Sequence, residues 1–212
     1  MARIRPPMLA RLAVLACCLG PTVAALSVGG CGGVGGSVRM ESAPGTVQRG
    51  ETARILKPAL ATLVYHAPDS QTADIYLTDL HPDELDPRND LSGVSGQLVH
   101  LNMFLVPRAG STPIEKTAVT AVIRHVVIAR GQVGVYGGGG FMFTRGSPGD
   151  SSFGGSVDRA TMRLLARTGG FVDLLGPTEF SGSFLARLDK PSADLLARRF
   201  RDLVATARAA TP

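Results

Sequence analysis

Thr178-Glu179-Phe180-Ser181-Gly182-Ser183-Phe184-Leu185-Ala186-Arg187-Leu188 alternates along its whole length. Phe180, Gly182, Phe184, Ala186 and Leu188 take one phase; Glu179, Ser181, Ser183 and Arg187 take the other. A period of two predicts a strand with one buried face. Immediately downstream the period changes. Over residues 191–209, Leu196, Phe200, Leu203, Val204 and Ala207 form one apolar stripe, while Arg198, Arg201, Asp202 and Arg208 fall off it. That pattern predicts an amphipathic helix, with Pro191 at a first helical position after Asp189, or with Ser192 as its cap.

Working upstream, the same two-residue period recurs. Ala61–His66 and Thr72–Thr78 read as a hairpin joined by Ala67-Pro68-Asp69-Ser70-Gln71. Gln97–Val106 is apolar on both phases, as a central strand would be. Ala118–Ala129 is rich in β-branched residues, and Gly131 turns it toward Val133, Val135 and Tyr136. Phe141–Thr144 is a further short strand, and Arg145–Gly155 reads as a loop. Ser156–Arg167 fits a strand better than a helix, although Val157, Ala160, Leu164 and Leu165 would also suit a helical face. The fold class is therefore mainly β (α+β). Either an antiparallel β-sandwich or a sheet of short strands is expected, with the C-terminal helix packed on it.

The N-terminus has a different character. Arg3 and Arg5 precede a stretch from Leu12 to Gly30 that carries no charge. This is the layout of an export signal. Val28, Gly29, Gly30 and Cys31 then resemble the lipobox of bacterial lipoprotein precursors, in which an apolar residue and two small ones precede an invariant cysteine. The resemblance covers residues 1–31. It implies cleavage before Cys31, a diacylglycerol thioether on its thiol and an acylated new N-terminus, palmitate included. An uncleaved anchor, or ordinary cleavage near Ala24 or Ala25, are the alternatives. In lipoproteins of two-membrane bacteria, Asp after the cysteine commonly signals inner-membrane retention. Gly32 stands here, so an outer-membrane address is expected. Residues 1–30 are then signal peptide and 31–50 a glycine-rich tether. Residues 51–212 form a single domain, beginning between Glu51 and Lys57.

Composition supports exclusions. The chain has 22 basic and 17 acidic residues, net +5. Arg3, Arg5 and Arg11 leave with the signal, so 19 basic residues remain against 17 acidic ones, net +2. Without a basic cluster, nucleic acid is not an expected partner. Cys17 and Cys18 lie in the signal and Cys31 carries lipid. The domain then has no thiol for a disulfide, a zinc site or a nucleophile. With no Trp and only Tyr65, Tyr76 and Tyr136, no carbohydrate platform is evident.

Candidate sites are sparse. Asp79, His81, Asp83, Glu84, Asp86 and Asp90 fall within one short segment and could hold a hard cation, though the spacing is not that of an EF-hand. A polar connection shaped by Pro82 and Pro87 is the plainer reading. Gly137–Gly140 lacks the Lys-Ser/Thr of a phosphate loop and is expected to be a wide turn or bulge, with a lipid- or partner-binding tip that exposes Phe141 and Phe143 as the alternative. Gly149-Asp150-Ser151 resembles the nucleophile block of GDSL-type hydrolases, but no Asp-x-x-His follows it. His66, His100 and His125 fall on strands as hydrogen-bonded residues unless two of them converge. Arg159, Arg163, Arg167 and Arg187 are expected to share a solvated sheet face with Glu179 and Asp158, with an anionic-ligand surface as the alternative.

No catalytic residue and no cofactor are expected. The leading expectation is a lipid-anchored cell-envelope protein that works as a binding or structural module. Its partners would be the membrane, through Cys31, and an envelope protein. An envelope hydrolase or metal-dependent enzyme using residues 79–90 is the alternative. A carrier of lipid or another apolar ligand is the second.

Overall fold

The computed structural model describes residues 35–46, 52–86, 88–107 and 119–211. The chain runs β1 (Gly35–Ser42), β2 (Ile55–Leu56), β3 (Thr62–His66), β4 (Ala73–Thr78), a 3-10 turn (Pro82–Leu85) and β5 (Gly96–Met103). It continues with β6 (Ala121–Ala129), β7 (Gln132–Gly140), β8 (Met142–Arg145), β9 (Ser152–Arg167), β10 (Thr178–Leu188) and α1 (Lys190–Ala209). All ten strands belong to one sheet in the order β2-β1-β10-β3-β4-β5-β6-β7-β9-β8. Because β9 also pairs with β10, strands β3 to β7, β9 and β10 close on themselves as a barrel. Every pairing is antiparallel except the closing contact, where Arg187 and Leu188 of β10 run parallel to Val64 and Tyr65 of β3.

Alternation assigns the two faces. Tyr65, Ile75, Leu77, Leu101, Met103, Ile123 and Tyr136 point inward, where they meet Met40, Phe153 and Phe180 in one core. Val64, Tyr76, Leu98, Val126, Val133, Val135 and Ala166 point outward and form a second core with α1. This is why β5 is apolar on both phases: Val99 and Leu101 face the barrel, and Leu98 faces the helix. On α1, Leu196, Phe200 and Leu203 are buried, worth roughly 1.5–3 kcal/mol each. Asp189 is the N-cap, its Oδ1 accepting the Ser192 N–H at 3.0 Å, so Ser192 receives no capping role of its own. At the far end the Arg167 N–H donates to Thr211 Oγ1 at 3.1 Å, tying the helix to β9.

Ser156–Arg167 is strand, as favoured, and β9 extends back to Ser152, so the expected loop contracts to Gly146–Ser151. Strand β9 is long because it serves two neighbours. Its first half pairs with β8 and its second half with β7. Between them the register slips around Asp158 and Arg159, and Arg159 adopts a left-handed φ of 47°. Such a bulge bends the strand.

Two expectations are corrected. Gly137–Gly140 is not a turn but the end of β7, paired to β6 along its length. A Cβ on Gly138 would lie 1.9 Å from the Thr161 carbonyl oxygen, so glycine is needed for β7 and β9 to approach. The tether is also shorter than expected. Residues 35–42 are β1, in register with β10 from Gly35↔Leu185 to Ser42↔Thr178, so the domain starts well before residue 51. A Cβ on Gly36 would lie 2.7 Å from the Ser183 carbonyl oxygen. A glycine-rich composition reads as flexible, but here it permits close strand contact. The expected signal peptide, Cys31 and part of the expected tether lie outside the described residues. Among the described residues no helix is long and apolar enough to cross a membrane.

Candidate functional site

Strands β8, β9, β10 and β1 lie side by side, so their residues line up in rungs. Arg145, Gly154, Leu185 and Gly35 form one rung; Phe143, Ser156, Ser183 and Ser37 form another. Phe184, on the rung between them, is buried in the barrel core, so these two rungs belong to the opposite, outer phase. Together they shape a shallow groove of about 470 Å³. Its lining includes Ser37, Ser156 and Ser183 together with Phe143, Leu185 and Arg145. Phe143 is 47% exposed and lies against Phe141, ring centroids 4.8 Å apart. Among the described residues no histidine or carboxylate lines the groove, so none of them supplies the base a nucleophilic hydroxyl needs. The chemistry on offer is binding: hydroxyl donors and acceptors, one guanidinium and apolar side chains.

A smaller recess of about 180 Å³ lies at the other end of β1, between Ser42, Thr46, Arg54, Leu174 and Pro177. Among the described residues it too is lined by no histidine or carboxylate.

The acidic segment does not assemble as a cation site. The Asp79 carboxylate accepts the Gln97 N–H at 2.6 Å, and burial raises its pKa. Glu84 accepts the His81 N–H at 2.7 Å across the 3-10 turn. His81 Nδ1 lies 3.6 Å from Asp83, with both side chains exposed. Asp86 pairs with Arg88 at 2.6 Å, which lowers its pKa to about 2. A hydrogen bond and a main-chain N–H at Ser92 lower that of Asp90. Among the described residues, no three His, Cys, Asp or Glu side chains converge as metal ligands.

Two histidines do gather around one carboxylate, which their sequence spacing hid. In the β3-β4-β5 register His66 lies opposite Asp74, and Asp74 opposite Asn102. Asp74 Oδ1 takes contacts from His100 Nε2 at 2.8 Å and Asn102 Nδ2 at 2.9 Å. The bond to His100 is the main reason its pKa is lowered. His100 stacks on Tyr76, ring centroids 4.6 Å apart, and its edge meets Phe200 of α1 at 5.3 Å. Burial pushes the Tyr76 hydroxyl up to about 12. No serine or cysteine faces this pair in the described contacts. The His100–Asp74 pair therefore works as a polar joint between helix and barrel.

His125 is wholly buried inside the barrel. Its Nε2 lies 2.9 Å from Gln97 Oε1, and its Nδ1 has no partner among the described residues. Desolvation lowers its pKa to about 3. Gly149-Asp150-Ser151 is a turn. Asp150 accepts the Ser147 N–H at 2.8 Å, and its main-chain oxygen accepts the Tyr65 hydroxyl. Three of the four arginines take separate partners: Arg159 pairs with Asp158 at 3.6 Å, Arg187 with Asp189 at 2.8 Å, and Arg167 donates to the Phe171 oxygen at 3.2 Å; Arg163 stands on β9 opposite Gly137.

No family model, no curated protein and no solved structure matches the chain.

The groove was missed in the sequence because its residues come from four distant segments. The one signal in the sequence was the alternative that placed Phe141 and Phe143 on an exposed tip.

Proposed function

We propose that this chain is a lipid-anchored cell-envelope protein whose barrel domain is a binding module rather than an enzyme. One observation carries the reading. The groove along β8, β9, β10 and β1 offers hydroxyls, an arginine and apolar walls, but no acid or base. The remaining clusters favour the same reading, because their carboxylates and imidazoles are taken up in caps, ion pairs and packing. The anchor is the acylated Cys31, and an outer-membrane address follows from Gly32 where the cell has two membranes.

Metabolic labelling with radiolabelled palmitate, in wild type and Cys31→Ala, tests the anchor. Label should enter the wild type alone, and only the wild type should sediment with membrane. Equal label in both chains overturns the reading.

A further inference from the structure

We infer that the outer face of β8, β9, β10 and β1 is a phospholipid-contacting surface, laid against the bilayer with Phe143 and Leu185 at the acyl boundary and Arg145 among lipid phosphates. The inference rests on the reading that Cys31 is acylated.

Chain length constrains the domain. Strand β1 begins at Gly35, four residues after Cys31. Four residues span at most about 14 Å when fully extended. The tether expected from sequence would have reached about 65 Å, enough for a domain to turn freely. The first residue of β1 therefore stays within about 14 Å of the lipid attachment. Gly35 shares its rung with Leu185, Gly154 and Arg145, in that order across the sheet. Adjacent strands stand about 4.8 Å apart, so Arg145 lies about 14 Å from Gly35 along the rung. Whatever holds Gly35 near the membrane brings this face with it.

The chemistry of the face fits a lipid surface. Phe143 is an exposed aromatic ring, and Leu185 is half-exposed on the same face two strands away. Serine hydroxyls and glycine backbone separate them, which suits the hydrated headgroup layer. Arg145 is exposed and has no carboxylate partner among the described residues, leaving its planar donors for phosphate. By contrast, Arg187 farther along β10 is already paired with Asp189. An aromatic ring with an arginine at a water–lipid boundary is a recurrent pairing of interfacial anchors.

The full acylated protein in phosphatidylcholine–phosphatidylglycerol vesicles provides the test. Acylation consumes Cys31, and Cys17 and Cys18 leave with the signal, so an introduced cysteine is the one reactive thiol. Phe143→Cys, Leu185→Cys and Thr206→Cys, each carrying an environment-sensitive fluorophore, place probes on the face and on exposed α1. Doxyl-labelled lipid should quench the probes at 143 and 185 at least twofold more than the probe at 206. Circular dichroism checks that each variant folds, and the pair of face positions guards against failure of one. Mass spectrometry of the Cys31 peptide reads the anchor separately. Equal quenching at all three positions in an acylated chain overturns the orientation and leaves the anchor standing. An unmodified Cys31 overturns both.

Discussion

Acid should loosen this barrel through one histidine. His125 is fully buried, donates Nε2–H to Gln97, and has no partner for Nδ1 among the described residues. Protonation would place a charge and a second N–H where nothing accepts it. Burial accordingly depresses its folded-state pKa to about 3, against about 6.5 in an unfolded chain. The sign follows from linkage. Between these values the unfolded state binds a proton that the folded state refuses, so stability is complete above pH 6.5 and declines as pH falls toward 3. One proton corresponds to about 1.4 kcal/mol per pH unit. From pH 6.5 to 4.5 the loss is roughly 2 kcal/mol, a large fraction of the 5–15 kcal/mol typical of a domain. Urea unfolding followed by circular dichroism at pH 7, 6, 5 and 4.5 measures it. His125→Gln keeps a donor toward Gln97 and cannot titrate. Its stability at pH 7 should be lower, but its decline with acid should be shallower by about one proton, or 1.4 kcal/mol per unit. The carboxylates contribute equally to both chains and cancel in the comparison. Parallel curves for wild type and His125→Gln would refute the reasoning.

Two further outcomes follow from the geometry. Gly138→Ala should cost about 3 kcal/mol or more, because its methyl would sit 1.9 Å from the Thr161 carbonyl oxygen. Gly149→Ala meets open space but has a φ of 100°, and should cost only about 1 kcal/mol; similar losses in urea midpoint for both would overturn the close-approach argument. Millimolar calcium should leave the thermal midpoint unchanged, since the carboxylates at 79, 84 and 86 already serve main-chain donors or Arg88. A rise with calcium would show that this segment reorganises into a cation site.

Strands β3, β4 and β10 were legible because alternation is local and each has one face toward the barrel core. Helix α1 was legible for the same reason, from its stripe of Leu196, Phe200 and Leu203. Strand β1 was not. Its glycines have the composition of a linker, and only the neighbouring β10 backbone shows why Gly36 is small. The four-glycine end of β7 misled in the same way, since its partner, Thr161, is more than twenty residues away. For the sites, closeness in the chain and closeness in space differ. Residues 79–90 are close in the chain, yet each carboxylate serves its own neighbourhood, whereas His66, Asp74 and His100 meet through strand register.

By itself the sequence determined a mainly β domain with one terminal helix, no thiol beyond Cys31, and the expectation of a lipid anchor. These follow from local periodicity and composition, which each segment carries alone. Only the tertiary structure decided that the sheet closes through β10 and β3, that His125 is dry, and that β1 holds the groove within a few residues of Cys31. Each of those depends on which strands become neighbours. That choice is made by the packing of the whole chain, because pairing energy and burial arise between segments that no local window contains.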